Sequence, residues 1–147
     1  MSYDLMVFEK TEAPNIKPAF MKWYEQQVSW GEDHNYDSIS VSSPALRAWF
    51  MEMRESFPPM NGEFSLEPDE WDDFESRSGD YSIGRHMIYA GFAWSVAEQA
   101  HDLALKLARK HDLGFFDAGG SGEIVFPGGT ESEASPKPRF GLFRRRK

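Results

Sequence analysis

The stretch at residues 80–111 constrains the fold more than any other, because an apolar strand pattern changes there directly into a helical one. It reads DYSIGRHMIYAGFAWSVAEQAHDLALKLARKH. Residues 87–94 are almost wholly apolar, which is typical of a strand that lies inside a sheet. Apolar residues then recur with a 3.6-residue period at Ala100, Leu103, Ala104, Leu107 and Ala108. The sequence therefore predicts a central strand followed at once by an amphipathic helix.

Local signals predict where these elements begin and end. Ser95 and Glu98 have the spacing of a capping box, which would start the helix. Gly114 follows the last periodic residue and is predicted to end the helix in a left-handed conformation. Upstream, residues 81–83 are predicted to form a hairpin with the apolar strand, with Gly84-Arg85 as its two-residue turn. The alternative is one long, bent strand from residue 81 to 92.

The first half of the chain predicts one strand and two helices. Residues 2–8 alternate Tyr, Leu and Val with Met and Phe, so both faces of this strand are apolar and it belongs inside a sheet. Pro18 suits the first turn of one helix, and Ser43-Pro44 the start of another. The second helix carries an apolar stripe at Leu46, Trp49, Phe50, Met53 and Phe57.

Two short strands at residues 115–117 and 123–126 complete the order β-α-α-β-β-α-β-β. This order predicts an α+β fold, a ferredoxin-like βαββαβ variant with an extra helix, a C-terminal hairpin and the helices on one face of the sheet. Residues 1–126 are expected to form a single domain. Residues 127–147 are rich in Gly, Pro, Ser and charge, and are expected to be a disordered basic tail.

Charge is divided unevenly along the 147 residues. The net charge is −8, but six of the 16 basic residues lie in the last eleven positions, so the first 136 residues hold ten basic residues against all 24 acidic ones. An acidic body of net charge −14 repels nucleic acid and anionic membranes and favours basic partners. Only the tail at residues 137–147 could contact nucleic acid or a membrane, and its docking on the acidic body or plain disorder is the simpler interpretation.

Other features of the composition bear on location and chemistry. The chain has no Cys, which excludes disulfides, thiolate catalysis and Cys-based zinc sites. No apolar run is long enough to span a bilayer, and the N-terminal residues do not read as a secretory signal, so a cytoplasmic location is expected. The oligomeric state cannot be predicted.

The acidic and aromatic segment EPDEWDDFESRSGD is the strongest candidate for a binding site. It does not match the EF-hand pattern for Ca²⁺. Carboxylates would steer a basic protein, and exposed aromatic rings would anchor it. The simpler alternative is a solvated loop anchored in the core by Trp71 and Phe74. The candidate binding residues are Glu67, Asp69, Glu70, Trp71, Asp72, Asp73, Phe74 and Asp80.

Histidines and carboxylates provide an alternative hypothesis, a small-molecule or metal-dependent enzyme. His34, His86 and His111 could combine with Asp33, Asp80 or Asp112 in acid–base chemistry, although no spacing links them. Glu98-x-x-His101 has the spacing used in di-metal bundles, but it occurs once, so an ordinary surface pair is the simpler interpretation. Ser121 lies in GGSGE, which is not the G-x-S-x-G motif. No catalytic residue, metal ligand or cofactor is assigned.

Several segments resemble a family of small, uncharacterised bacterial proteins: SYDLMVFE, FMKWYEQQ, SPALRAWFMEM with FPPMNG, DYSIGRHMIYAGFAWS, and HDLGFFD with GEIVFP. The resemblance covers about residues 2–126 and brings no catalytic residues with it. In size and acidity the chain is also similar to the immunity partners of bacterial toxins. The leading hypothesis is a small binding protein whose acidic face, centred on residues 67–80, holds a basic protein in an immunity- or antitoxin-like role.

Overall fold

The computed structural model describes residues 2–32, 34–60 and 77–127, and these residues form an α+β fold. The predicted α+β class is therefore confirmed. In chain order the strands and α-helices are β1 (Tyr3–Phe8), α1 (Lys17–Gln27), α2 (Pro44–Ser56), β2 (Asp80–Ile83), β3 (Met87–Phe92), α3 (Ala97–Lys110), β4 (Gly114–Phe116) and β5 (Ile124–Val125).

The five strands form one antiparallel sheet in the order β2-β3-β1-β4-β5. β1 lies in the middle and pairs with β3 on one side and β4 on the other. Its central position explains why residues on both of its faces are apolar, as the sequence predicts. No helix among the described residues is both long and apolar enough to cross a membrane.

The sheet is covered on both faces, which corrects the expectation that all helices lie on one side. Leu5 and Val7 of β1 pack with α2 and α3 in the larger core, which also contains Trp49 and Ala104. Alternate β1 residues point the other way and meet α1 in a second core, made of Met6, Phe8, Phe20, Met87, Phe116 and Ile124. A central strand that is apolar on both faces requires a layer on each side.

Helix α2 begins as the sequence predicts. Ser43 is its N-cap, and its hydroxyl accepts a hydrogen bond from the backbone N–H of Leu46 at 3.3 Å. The predicted apolar stripe is buried along its whole length, at Leu46, Trp49, Phe50, Met53 and Phe57.

The start of α3 differs from the predicted capping box. Residues Trp94–Val96 form a 3₁₀ turn, and the N-cap is Val96, which makes no side-chain capping bond. The backbone N–H of Val96 instead donates to the Ala93 carbonyl oxygen at 3.1 Å. The prediction that Ser95 caps the helix is therefore wrong, because the tight turn moves the first helical residue past it.

The end of α3 is a Schellman motif built on Asp112 rather than on Gly114. Asp112 adopts φ 62°, and the N–H of Leu113 donates to the carbonyl oxygen of Ala108 at 2.8 Å. Gly114 begins β4 and is needed for packing, because a Cβ there would lie 2.2 Å from a ring carbon of Phe8.

The predicted hairpin of β2 and β3 is present, but its turn is one residue further along the chain. The N–H of Gly84 donates to the carbonyl oxygen of Met87 at 2.8 Å, so Gly84 and Met87 close the hairpin. Arg85 and His86 are the two central turn residues, and Gly84 is not among the residues with positive φ.

Candidate binding face

Of the residues predicted to bind a partner, the structure describes Asp80. It is the exposed first residue of β2, at the outer edge of the sheet. The remaining candidates, Glu67, Asp69, Glu70, Trp71, Asp72, Asp73 and Phe74, lie outside the described residues.

Both ends of the acidic segment are fixed next to Asp80. The N–H of Met60 donates to the carbonyl oxygen of Gly79 at 2.9 Å, and the N–H of Gly79 donates to that of Pro58 at 2.8 Å. Arg77 donates through Nε to the Ser56 carbonyl oxygen at 3.0 Å, and its guanidinium lies 4.7 Å from the centre of the Phe57 ring. Met60 and Arg77, which flank positions 61–76 with their seven acidic residues and no basic one, therefore lie beside the N-terminus of β2.

Asp80 belongs to a row of three residues that crosses the sheet. Gly91 of β3 pairs with Asp80 on one side and with Asp4 of β1 on the other. Directly paired residues point to the same face, and two strand spacings separate the outer pair by roughly 10 Å. The two carboxylates thus lie on either side of a glycine, on the face of the sheet that carries α1.

Asp4 is held in place by two hydroxyl donors. Ser2 donates to one carboxylate oxygen at 2.6 Å, and Tyr89 donates to the other at 2.7 Å. Burial, together with the hydrogen bonds to Asp4 and Tyr24, raises the pKa of Tyr89 above its ordinary value. Tyr89 therefore remains a neutral hydrogen-bond donor to Asp4 at physiological pH.

An exposed tryptophan borders the row. The Trp30 side chain packs edge-on against Tyr36 and Tyr89, with ring centres 5.2 and 6.0 Å apart, and yet Trp30 is 41% exposed. Trp30 and Tyr36 both adopt positive φ, 58° and 63°, which is unusual for residues with bulky side chains. The carbonyl oxygen of Tyr36 accepts the N–H of Ile83, which ties this loop to the edge of β2.

Helix α1 covers the other half of the same face. Phe20, its buried residue, contacts Phe8, Phe116 and Phe126, which lie on or next to β1, β4 and β5. α1 also reaches the half over β2 and β3, where Tyr24 packs against Tyr89 with ring centres 6.3 Å apart, and the loop of Trp30 borders the same half. We call this half the Asp80 face, and it consists of Asp4, Trp30, Asp80, Ser82 and Tyr89.

The Asp80 face has the chemistry to hold a cationic side chain. Two carboxylates attract an ammonium or guanidinium group, and hydrogen bonds to a charged group are stronger than neutral ones. The exposed ring of Trp30 offers a cation–π contact, for which Trp is the best of the aromatic side chains. An arginine or lysine of a partner is therefore a better match than an anion.

The four histidines lie apart from one another, and Asp33, one of the carboxylates proposed to act with them, lies outside the described residues. Each histidine lies next to different carboxylates. The distances from ring nitrogen to carboxylate oxygen are 2.5 Å for His34 and Glu32, 3.9 Å for His86 and Glu12, and 2.7 Å for His111 and Glu52. His101 lies 2.9 Å from Asp102 and 3.9 Å from Asp117. Asp112 pairs with Lys10. The described part of the chain contains no cluster of three or more His, Asp or Glu side chains that could hold a metal ion.

Asp117 is the one strongly buried carboxylate among the described residues, and its contacts organise a loop. Its carboxylate accepts a hydrogen bond from the Tyr3 hydroxyl at 2.5 Å, and hydrogen bonds from both the backbone N–H and the hydroxyl of Ser121 at 3.0 Å. Burial and the neighbouring charge of Asp117 raise the pKa of Tyr3. Ser121 therefore acts as a donor to this carboxylate, which holds the glycine-rich connection between β4 and β5.

Sequence reasoning missed four members of the Asp80 face: Asp4, Trp30, Ser82 and Tyr89. One signal was present: Gly91 interrupts an apolar strand, and a glycine there marks a close approach of another group. A Cβ at Gly91 would lie 2.9 Å from the Asp4 carboxylate and 3.3 Å from the Ser2 hydroxyl oxygen. The identity of the approaching group depends on strand pairing, which no local pattern reveals.

Comparisons of the chain with protein-family models, with curated proteins and with solved structures found no match.

Proposed function

We propose that this protein is a small cytoplasmic binding protein that holds a basic protein through the Asp80 face and the adjoining acidic segment. One observation carries the proposal: Asp80 lies in a row with Gly91 and Asp4, and both ends of the seven-acid segment are fixed beside it. The residues that bind the partner would then be Glu67, Asp69, Glu70, Trp71, Asp72, Asp73, Phe74 and Asp80, together with Asp4 and Trp30.

Charge and exposed rings have separate parts in this proposal. The acidic residues attract the partner over distance and raise the association rate, an effect that falls as salt screens it. Trp30 makes close contact and slows dissociation, since exposed aromatic residues are frequent anchors of interfaces. An immunity- or antitoxin-like role, in which the basic partner is a toxin, is one specific version.

The fold supports a second part of the proposal. β1 and β2 run parallel with β3 between them, and β3 and β4 run parallel with β1 between them, which is the split βαβ arrangement. We therefore propose a ferredoxin-like βαββαβ frame made of β1, α2, β2, β3, α3 and β4. α1 is then the extra helix on the opposite face, and β4 and β5 form the C-terminal hairpin. Membership of the resembling bacterial family stays a prediction.

The test is capture of partners from the source cell at about 20 mM and about 500 mM salt, read by mass spectrometry. We expect a dominant basic protein that is lost at high salt. Its capture should fall several-fold when Asp69, Glu70, Asp72 and Asp73 are changed together to Asn or Gln, and further when Asp80→Asn is added. Glu55→Gln, an exposed change on α2, is the matched control. Unchanged capture by the acid-neutralised chain would disprove the proposal.

A further inference from the structure

We propose that the basic C-terminal residues 137–147 bind the Asp80 face of their own chain and compete there with the basic partner. This inference rests on the proposed function and adds its regulation. The surface concerned is the Asp80 face, which the loop of Trp30 and Tyr24 of α1 border through their contacts with Tyr89.

Charge complementarity favours binding of residues 137–147 to the Asp80 face. Residues 137–147, KPRFGLFRRRK, contain six basic residues and no acidic one, whereas the preceding 136 residues carry a net charge of −14. Asp4 and Asp80 flank Gly91 on the Asp80 face, and the ends of the seven-acid segment lie beside them. The most basic segment of the chain is therefore complementary in charge to the carboxylates of the Asp80 face.

The apolar residues of the same segment give a second reason. Phe140, Leu142 and Phe143 lie between the basic residues. Trp30 is 41% exposed and already packs edge-on against two tyrosines, so it offers an aromatic surface beside the carboxylates. A segment that combines arginine with phenylalanine can use both parts of the face, through ion pairs and through ring contacts.

The connecting chain is long enough. β5 ends at Val125, and β5 and β2 are the two edges of the five-stranded sheet, four strand spacings of ~4.8 Å apart. The strand pairing puts Val125 in line with Ile83, three residues from Asp80, so roughly 22 Å separates Val125 from Asp80. Residues 128–136 can span about 30 Å when extended. A tether of this length gives an effective concentration on the order of 1 mM. Even a weak contact, with a dissociation constant near ~0.1 mM, would then occupy the face about nine-tenths of the time.

Binding of the C-terminal segment to the Asp80 face would raise the affinity that a partner needs in order to bind there. A basic protein must displace the C-terminal segment, so its apparent affinity is lowered about tenfold under the same assumptions. A partner with more positive charge or a better anchor overcomes this competition, whereas a weakly basic protein does not. The segment therefore increases the selectivity of an acidic face that would otherwise bind many cations.

A spin-label experiment on the full chain tests where the segment lies. The chain has no Cys, so Ser135→Cys provides a unique attachment point two residues before Lys137. At about 20 mM salt we expect selective broadening of the Trp30 indole signal and of the Asp80, Ser82 and Tyr89 amide signals, with recovery at about 500 mM salt. Mixing labelled ¹⁴N chain with unlabelled ¹⁵N chain should give no broadening, which separates contact within a chain from contact between chains.

The matched control is the same labelled chain with all six basic residues of 137–147 changed to Gln. It should lose the selective broadening. Broadening that is uniform, centred elsewhere on the domain, or unchanged in this control would overturn the inference.

A binding measurement tests the competition. The probe is a synthetic peptide of residues 137–147, titrated by calorimetry into the full chain and into the full chain with the six basic residues changed to Gln. We expect the neutralised chain to bind the peptide about tenfold more tightly, because its internal competitor is gone. Asp80→Asn in the neutralised chain should weaken that binding, and Glu55→Gln should not. Equal affinity of the peptide for both chains would overturn the inference.

This measurement is independent of the capture of a basic protein from the cell. The contact within the chain can be observed when no partner is captured, and a partner can be captured when this contact is not observed.

Discussion

At the scale of single residues, Glu52 shows how one carboxylate joins two helices. It lies on α2 and accepts hydrogen bonds from Lys110 Nζ at 2.9 Å and from the His111 ring at 2.7 Å, both at the C-terminal end of α3. The hydrogen bond from Lys110, followed by that from His111, lowers the pKa of Glu52 below its ordinary value. The ionised carboxylate is thus favoured in the folded chain.

Glu52→Gln should lower the stability of the fold at neutral pH but not in strong acid. A carboxyl whose pKa is lower in the folded than in the unfolded chain stabilises the fold above its unfolded value, about 4.3. That contribution is lost as the pH falls through the lower, folded pKa. Urea unfolding of the wild type and the variant between pH 7 and pH 2.5 should therefore show a gap that closes below about pH 4.

The control is Glu55→Gln, which removes an exposed carboxylate one turn further along the same helix. It should give the same small difference from wild type at every pH. A gap for Glu52→Gln that is constant over the whole range would contradict the assignment of the ion pair.

Trp30 and Tyr36 have an unusual backbone conformation. Trp30, which belongs to the Asp80 face, and Tyr36, which packs against it, adopt positive φ, and neither position carries the Gly or Asn that usually signals such a conformation. Ring contacts with Tyr89 and the hydrogen bond from Ile83 to Tyr36 hold them there. Both contacts come from strands that are far along the chain, so the residues next to Trp30 and Tyr36 in the sequence do not by themselves reveal these conformations.

At the scale of elements, the starts of α2 and α3 show when a capping signal is sufficient. Ser43-Pro44 starts α2 as predicted, because Pro44 cannot donate and its fixed φ suits the first helical position. Ser95 has an equally good sequence signal, yet the 3₁₀ turn of Trp94–Val96 precedes α3. Trp94 packs against Tyr3 of β1, with ring centres 5.5 Å apart, and this tertiary contact accompanies the tighter turn.

The two serines should therefore respond differently to removal of the hydroxyl group. Ser43→Ala should lower the free energy of unfolding by about 1 kcal/mol, the usual cost of losing an N-cap. Ser95→Ala should change it by less than about 0.5 kcal/mol, since Ser95 is exposed and is not the cap of α3. Chemical denaturation of both variants measures the difference. Equal losses would mean that Ser95 does cap the helix.

At the scale of the whole molecule, the chain has two cores on opposite faces of one sheet. The larger core lies between the sheet and the pair α2 and α3, and Trp49 joins these helices by donating through Nε1 to the Ala104 carbonyl oxygen at 3.1 Å. The smaller core lies under α1, and three of its six buried residues are phenylalanines. The Asp80 face lies on the same side of the sheet as this smaller core, and Tyr89 joins the two through its contact with Tyr24 of α1.

Phe20→Ala should detach α1 from the sheet. Phe20 is fully buried and contacts rings of Phe8, Phe116 and Phe126, so the substitution should cost about 3–5 kcal/mol of stability. Hydrogen exchange should show earlier loss of protection in α1 than in α2 and α3. Ile16→Ala, at a residue that is 67% exposed, is the control and should have little effect. Uniform loss of protection across all three helices would argue against a separate second core.

The α+β class, the existence of the helices and strands, and the buried stripe of α2 could all be predicted from patterns in the sequence. These depend on periods of two and 3.6 residues, on proline and on capping, which act within a few positions of the chain. Charge segregation was likewise visible, since it is a matter of counting along the chain.

Only the tertiary structure decided which face each helix covers, where α3 begins, and which residues stand beside Asp80. The row of Asp80, Gly91 and Asp4 joins positions 76 residues apart at its ends, and a shift of one residue in either strand pairing would place Asp4 or Asp80 on the opposite face. Register is set by the packing of all strands together, and a local pattern does not contain it. For that reason the sequence predicts the negative charge of the candidate face, but it identifies only some of the residues that form it.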